Sequence, residues 1–453
     1  MKIVAGGKDT VGDMQRVVQS IPASYTVWKD GTQAIAECNL KGGTDYTTGT
    51  DAVVIQNALD GLTAGRTSQD AVYLKGPFTI ATALIPQSHT HIILDGSVTL
   101  ADAGHEHVLK VIAAGQHDIT IEGGKWIGAT ATQAVGAPYA SAIAINNCNS
   151  LKILNAEMSN AKYFGATLYN CQNVQLDNLY FSGCGADGII LQDCYAVNVN
   201  NILGMNLGSA WETAASTVWT DSDKVNINNV YAYNVDIGVH IEAFSASRHD
   251  ITASNITAID SDLYGVYLHQ EGAFVLNRAT VNNVVATTPG YYGIGVVSSA
   301  LYRLHDLTIN DVVINGAGAD FATGRGLLMV NISDAHLSNF EIADTSLVTH
   351  TGRAVDLDNV QYSTFAGFTV RNTDGEAFYL EGGETGCLYN VLSNLIVYDN
   401  QGAPTTTYGY REVELSDYNV VSCCKFGNAT VANISEGANS EVHSTFNGLA
   451  WVA

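Results

Sequence analysis

Titratable side chains recur at two-residue intervals in two short segments of this chain. The first segment contains His240 and Glu242, and the second contains Tyr267, His269 and Glu271. Alternate residues of a β-strand share one face, so each segment would present its set on one surface. Two carboxylates can carry out glycoside hydrolysis, whereas a His and a Tyr can transfer a proton. Single titratable residues on a strand are also common as solvated surface groups. Catalysis would therefore require several of these side chains to lie close together in the fold.

Further carboxylates and two tryptophans lie upstream, around an extended loop. Asp187 precedes Gly188, and the loop GSAWETAASTVWTDSDK follows in the next repeat. We expect this loop to bring several side chains to the same region, namely Trp211, Glu212, Trp219, Asp221 and Asp223. An indole such as Trp211 presents an apolar face to a sugar ring. Trp219 aligns with an inward position and is predicted to be core.

A repeat of 23 to 28 residues defines the elements that must position these groups. Apolar and polar residues alternate within it, as in VNINNVYA, which is typical of a strand with one buried face. Asn tolerates left-handed backbone, so a recurring Asn predicts a bend and a side-chain ladder. No helical period lies between the strands, and the chain is predicted to be a solenoid of parallel strands rather than a βα barrel. The recurring column consists of Asn155, Asn178, Asn201, Asn229, Asn255, Asn283, Asp311, Asn339, Gly367 and Asn394.

A second strand in each repeat often opens with Gly, as at Gly188 and Gly238. Aligning these strands places the two titratable segments on adjacent coils. Asp187 then lies two coils from Glu242, about 9.5 Å at the inter-strand spacing, within the range of an inverting hydrolase. Asp221 lies one coil from Glu242 and would form a closer pair of the retaining type.

Three cysteines should stack on successive coils, because Cys148, Cys171 and Cys194 follow one another at intervals of 23 residues. Buried thiols are the expected state, with a disulfide between neighbours or metal binding as alternatives. The remaining cysteines show no zinc-ligand spacing.

The region after residue 47 resembles a known family. GTDAVVIQNALDGLTAG, AVYLKGPFTIATALIP and IILDGSVTL are similar to the N-terminal signature of the pectate-lyase-like superfamily, which includes phage tailspike depolymerases and polygalacturonase-type hydrolases. The resemblance implies an all-β fold, a single-stranded right-handed parallel β-helix with a short N-terminal capping helix. The predicted organisation is a β-rich lead-in at 1–47, the β-helix at 48–445 and a closing segment at 446–453.

Two shorter motifs resemble particular members of that group. CGADG, around Asp187, is similar to the Asn-Thr-Asp-Gly motif of polygalacturonases, although the other motifs of those enzymes have no counterpart here. YGVYLHQE, at 264–271, is similar to a Tyr-Gly-…-His-Glu strand of alginate C5-epimerases, with Tyr267 and Leu268 in place of an Asp and a Pro. The motifs therefore specify the fold better than the reaction.

The charge of the chain restricts its partners. Its 453 residues carry a formal net charge of −24, although only 14% of them are charged. The negative field disfavours nucleic acid and anionic membranes, and it disfavours a polyanionic substrate unless cations bridge the two. The sequence contains no 18-residue apolar run and no recognisable secretion signal. We expect no membrane insertion and a location outside the cell or on a virion.

The first functional hypothesis is a polysaccharide-cleaving glycoside hydrolase. Glu242 would act as proton donor or base, with Asp187 or Asp221 as its partner. A donor would need a raised pKa. The side chains expected to contact the polysaccharide are Trp211, Glu212 and Glu271.

The second hypothesis is a polysaccharide lyase or C5-epimerase. His269 or His240 would abstract the proton next to a uronate carboxyl group, and Tyr267 would return one. Arg248 and Lys224 are the nearest cations that could neutralise the carboxylate.

The third hypothesis is a non-catalytic glycan-binding fibre or adhesin that forms a homotrimer. In all three cases no cofactor is expected, with Ca²⁺ as the alternative at a second acidic patch formed by Asp356, Asp358 and Glu381.

Overall fold

A computed structural model shows one long parallel sheet wound into coils, a parallel β-helix. No helix among the described residues is long and apolar enough to cross a membrane. The structure describes residues 23–40, 42–101, 106–129, 140–208, 214–299, 302–318, 324–345, 352–382, 386–401, 405–427, 429–430, 432–436, 438–443, 445–447 and 450–452.

The N-terminal elements are β1 (Tyr25–Asp30), β2 (Gln33–Cys38), α1 (Asp51–Asp60), β3 (Asp70–Lys75), β4 (Phe78–Ile80), β5 (Thr90–Asp95), β6 (Ser97–Leu100), β7 (Leu109–Val111), β8 (Gln116–Glu122) and β9 (Lys125–Ile127). The central strands are β10 (Ile143–Asn146), β11 (Cys148–Leu154), β12 (Glu157–Ser159), β13 (Ala166–Tyr169), β14 (Gln172–Ser182), β15 (Ile189–Met205), β16 (Ser216–Ala243), β17 (Arg248–Gln270), β18 (Leu276–Thr287) and β19 (Tyr292–Val297). The C-terminal strands are β20 (His305–Asn315), β21 (Arg325–Val330), β22 (Ala335–Ala343), β23 (Arg353–Asp358), β24 (Thr364–Arg371), β25 (Glu376–Glu381), β26 (Val391–Ser393), β27 (Ile396–Tyr398), β28 (Tyr408–Glu412), β29 (Val420–Ser422), β30 (Lys425–Gly427), β31 (Ala432–Ser435), β32 (Glu441–His443), β33 (Thr445–Asn447) and β34 (Ala450–Val452).

The helix α1 covers the N-terminal end of the core, as the family resemblance implies. Thr50 caps its first turn by accepting a hydrogen bond from the backbone N–H of Val53. One face of α1 joins the hydrophobic core through Val54, Ile55, Ala58 and Leu59. The β1–β2 hairpin is antiparallel, but β1 pairs in parallel with β3. The described part of the lead-in is therefore continuous with the coiled sheet.

Stacked aliphatic side chains fill the interior of the coils. The strands of the coils pair in parallel with those of the preceding and following coils, so equivalent residues lie side by side at the inter-strand spacing. Burial of each such side chain contributes about 1.5–3 kcal/mol. In the second strands, the first and third residues after the opening Gly point inward and are fully buried, namely Ile189, Leu191, Val239, Ile241, Val266, Leu268, Leu327 and Met329.

The Asn column forms the predicted corner. All ten of its residues have positive φ, as in Asn229 at 56° and Asn283 at 51°. Asn229 donates to the side chain of Asn201, and Asn283 donates to that of Asn255. The ladder is not continuous, however, because Asn255 donates to Asn228 instead of the preceding column member. The repeat therefore predicts the backbone bend more reliably than the side-chain partner.

Replacing Asn283 with Ala should lower stability by about 1–2 kcal/mol, because alanine at positive φ is strained and the ladder bond is lost. The urea midpoint of unfolding would report the loss. Asn283→Gly is the matched control, since glycine adopts this φ freely. Asn283→Gly should lose less stability than Asn283→Ala. Equal losses of stability in the two variants would show that backbone strain contributes nothing.

The three stacked cysteines are buried free thiols, as expected. The backbone N–H of Cys171 approaches the Cys194 sulfur at 3.4 Å. Burial raises the pKa of the Cys148 thiol to about 12. All three side chains are buried and pack as small core residues.

Candidate functional site

A groove of about 780 Å³ opens on the outer face of the coils that contain β10, β13, β15 and β16. Two phenylalanines, Phe164 and Phe244, contribute apolar surface to its walls. The titratable and amide side chains that line it are His107, Asn146, Tyr169, Asp187, Gln192, His240 and Glu242.

The irregular coil before this groove changes the predicted alignment by one residue. The register places Trp219 beside Ile190, on the outer face, and Thr220 inward, where it is fully buried. Trp219 therefore lines the groove, and its sequence-based assignment to the core is wrong. The length of the inserted loop shows that this coil is irregular. It does not show at which residue the strand begins again after the loop.

Glu242 is a buried carboxylate of the groove that accepts two side-chain hydrogen bonds. It is only 8% exposed, near the end of β16. The indole Nε1 of Trp219 donates to its Oε2 at 2.8 Å, and the Nδ1–H of His269 donates to its Oε1 at 3.0 Å. His269 lies directly opposite Glu242 on the neighbouring strand β17. Two donors on one buried carboxylate hold it in a single orientation.

The ionisation of Glu242 follows from these contacts. Burial alone would raise its pKa, but the hydrogen bonds from His269 and Trp219 together hold the pKa below its ordinary value. Glu242 is therefore ionised at neutral pH and is a base rather than a proton donor.

His240 lies next to this carboxylate and is itself buried. Its Nε2 is 3.9 Å from Glu242 Oε2 and has no hydrogen-bond partner among the described residues. Burial lowers the pKa of His240 to about 4, so its imidazole is neutral at neutral pH. The ring packs against Tyr267, with centroids 4.9 Å apart.

An aromatic stack continues from the histidines along the same face. Tyr267 stacks on His269 at 5.3 Å and on Tyr264 at 4.2 Å. Burial and the neighbouring Tyr264 raise the pKa of Tyr267 above its ordinary value, and the phenol therefore stays protonated. The second phenol, Tyr264, also has a raised pKa of about 12, chiefly because of burial.

Asp187 contributes the second carboxylate of the groove. It is 5% exposed, and its Oδ1 accepts the backbone N–H of Ser216 at 2.5 Å. Asp187 is two coils from Glu242 and also lies several strand positions nearer the start of its coil. Two coil spacings alone amount to about 9.5 Å, and the backbones of the two residues are therefore further apart than that.

Asp221 is not a catalytic partner of Glu242. It is fully buried and forms an ion pair with Arg248 at 2.5 Å. It also accepts the backbone N–H groups of Phe244 and Ser245. The carboxylate fixes the turn after β16, so the predicted retaining pair is wrong.

Neither predicted cation is available to a uronate in the groove. Arg248 is 4% exposed and binds both Asp193 and Asp221 at 2.5 Å. Burial lowers the pKa of Arg248, but its bonds to the two carboxylates raise it more, above the ordinary value. Lys224 lies at an exposed corner and donates to the Tyr195 hydroxyl at 2.5 Å, away from the groove lining.

The other residues predicted to contact the polysaccharide do not line the groove in the described part of the chain. Glu271 is exposed at the end of β17 and does not line the groove. Trp211 and Glu212 lie outside the described residues. The sequence does not predict two of the lining residues, His107 and Phe244, because neither follows the repeat. Tyr264, which stacks on Tyr267 but does not line the groove, precedes the predicted segment by three residues. The quoted YGVYLHQE motif was the only signal for Tyr264.

The second acidic patch is neutralised by arginines. Asp356 binds Arg325 and, at 3.0 Å, Arg353. The Arg353 guanidinium also stacks over Tyr379 at 3.5 Å. Guanidinium groups therefore engage Asp356, and Ca²⁺ binding at this patch stays a prediction.

One group of side chains among the described residues has the composition and spacing of a metal site. Ligand atoms of His240, Glu242 and His269 lie within 4.8 Å of one another.

Sequence and structure comparisons identify the architecture. A family model described as "Right handed beta helix region" matches residues 119–279. Comparison with curated protein sequences gives no match. Among solved structures, the A-module of mannuronan C-5 epimerase AlgE6 from Azotobacter vinelandii is similar with a TM-score of 0.53 and 14% identity, over 88% of this chain and 95% of that one.

Two further solved structures show a comparable likeness. The catalytic domain of a GH87 α-1,3-glucanase, in complex with tetrasaccharides, has a TM-score of 0.52 and 14% identity, over 81% of this chain and 67% of that one. An N-terminal fragment of gene product 12 of bacteriophage Phi29 has a TM-score of 0.54 and 13% identity, over 89% of this chain and 72% of that one. At such identities the likeness shows the fold alone.

Proposed function

Because this chain is a right-handed parallel β-helix protein, we propose that it is a carbohydrate-active enzyme, a glycoside hydrolase that cleaves a polysaccharide lying in the groove. The observation that carries the proposal is the buried, ionised Glu242, held by Trp219 and His269 in a groove that Asp187 also lines. The fold neighbours that act on glycans are compatible with this assignment.

The ionisation state of Glu242 indicates its role, and Asp187, as the other carboxylate that lines the groove, takes the complementary role. Glu242 activates the water as a base, since its contacts favour the charged form. Asp187 is then the proton donor to the leaving oxygen. The wide separation of the two residues does not suit a retaining mechanism, which needs carboxyl groups about 5–5.5 Å apart. An inverting mechanism needs them about 6.5–9.5 Å apart, so this proposal requires the two side chains to reach toward each other across the groove and predicts products of inverted anomeric configuration.

A neutral glycan fits this groove better than a uronate polymer. Elimination or epimerisation needs a cation to neutralise the uronate carboxyl group, and Arg248 is already engaged by Asp193 and Asp221. The net charge of −24 also repels a polyanion. We therefore infer that the substrate is an uncharged or weakly charged polysaccharide of extracellular origin.

Elimination remains the second candidate, because one specific contact favours it. The hydrogen bond to Glu242 orients His269 as a base, and the protonated Tyr267 lies beside it. This is an arrangement that could remove one proton and return another.

Incubation with matched panels of neutral and uronic polysaccharides tests the proposal. We expect new reducing ends from a neutral glycan, without the ultraviolet absorbance of an unsaturated sugar, and NMR of the first products should show inversion. Unsaturated products from a uronic polymer would support elimination instead. Binding without cleavage across both panels would contradict both enzymatic functions and favour a glycan-binding fibre.

A further inference from the structure

We propose that His240, His269 and Glu242 form a binding site for one first-row divalent transition-metal ion on the wall of the groove. His240 and Glu242 lie two residues apart on β16, and His269 lies opposite Glu242 on β17. Their ligand atoms are within 4.8 Å of one another. The inference concerns ion binding and does not rest on the proposed hydrolysis.

The unpaired nitrogen of His240 is the observation that points to a ligand. His240 is 8% exposed, and its Nε2 is buried without a hydrogen-bond partner among the described residues. Buried polar atoms are normally paired, because a buried group without a hydrogen-bond partner loses its hydration and gains nothing in return. The Nε2 lies 3.9 Å from Glu242 Oε2, and an ion between these atoms would satisfy it.

The spacing of the three side chains suits a small ion. In a tetrahedral site with metal–ligand distances near 2.1 Å, the ligand atoms lie roughly 3.4 Å apart. The observed separations of 3.0 Å, from Glu242 to His269, and 3.9 Å, from Glu242 to His240, fall on either side of that value. Small side-chain rotations would therefore close the site, and the groove leaves room for a water or a hydroxyl at the fourth position.

Surrounding contacts already orient the ligands. Trp219 donates to Glu242 Oε2 at 2.8 Å, and this bond fixes the carboxylate. The Tyr267 ring packs against both imidazoles, with centroids 4.9 Å from His240 and 5.3 Å from His269. Support of this kind is what holds metal ligands in place in known sites.

The donor set selects the class of ion. Two imidazole nitrogens and one carboxylate suit Zn²⁺, Ni²⁺ or Cu²⁺, whereas Ca²⁺ and Mg²⁺ require mainly oxygen ligands. A bound ion would engage the Glu242 carboxylate, so the hydrolysis proposed above describes the ion-free protein.

Calorimetric titration of the chelator-treated full-length protein with ZnCl₂, and separately with CaCl₂, tests the site without any substrate. We expect one equivalent of Zn²⁺ with a Kd of roughly micromolar or tighter, and much weaker binding of Ca²⁺. His269→Ala and the near-isosteric Glu242→Gln should each weaken Zn²⁺ binding at least about tenfold. His305→Ala, at an exposed His–Asp pair, is the matched control and should bind Zn²⁺ as the wild type does.

Co²⁺ provides a second readout that is independent of heat signals. Its visible absorption bands should appear with the wild type and with His305→Ala, and they should be lost in Glu242→Gln. The proposal is overturned if the wild type has no saturable Zn²⁺ site in the micromolar range, or if folded His269→Ala and Glu242→Gln both keep the wild-type affinity. Circular dichroism would establish that the variants are folded.

Discussion

Glu242→Gln is expected to lower kcat on the cleaved polysaccharide by about 10²–10⁴-fold, the usual contribution of a general base. The amide cannot accept a proton from water, yet its oxygen can still receive the hydrogen bond from Trp219. The groove should therefore keep its shape, and KM should change little. Initial rates of reducing-end release over a range of substrate concentrations would separate the two constants.

Glu271→Gln is the matched control for this prediction. Glu271 lies at the exposed end of β17, outside the groove lining, and undergoes the same change of charge. It should retain wild-type kcat. A Glu242→Gln variant with unchanged kcat would show that the base lies elsewhere, whereas equal losses in both variants would indicate a general effect of charge.

Arg248→Met should lower the free energy of unfolding by about 3–5 kcal/mol, because it leaves a buried carboxylate without its counter-ion. Asp221 is fully buried, and Arg248 binds it at 2.5 Å. The methionine fills much of the space of the arginine stem, so the loss reports mainly the unpaired charge. Urea unfolding followed by circular dichroism would measure it.

An exposed pair elsewhere in the coils provides the comparison. Arg278 binds Asp250 at 2.6 Å, but the two side chains are 55% and 44% exposed. Arg278→Met should therefore lose no more than about 1 kcal/mol. The double variant Arg248→Met with Asp221→Asn should recover part of the stability lost by Arg248→Met alone. Equal losses at Arg248 and Arg278 would be inconsistent with a buried ion pair.

The repeat predicts the coil positions well because parallel pairing converts a sequence interval into a spatial neighbour. Positive φ along the Asn column and the pairing of Glu242 with His269 both follow from it. The alignment fails in the irregular coil, where Trp219 faces outward instead of inward. Successive side chains of a strand point to opposite faces of the sheet. An alignment error of one position therefore predicts the wrong face for each side chain.

The repeat does not predict which charged side chains form ion pairs. Asp221 and Arg248 are separated by a turn, and Asp193 lies on an earlier coil. Whether their side chains meet depends on turn conformation, which the strand period does not specify. The same limitation applies to Asp356, which appeared in the sequence as part of a free acidic patch but binds two arginines in the fold.

The stacking of coils has a mechanical consequence. Every described coil is bonded chiefly to the one before and the one after it, so a load applied to the C-terminal end is passed from coil to coil along the axis. Under such tension the terminal coils should peel away one after another, while the groove near β16 stays assembled. Unfolding under force would then appear as a series of small steps rather than one collapse.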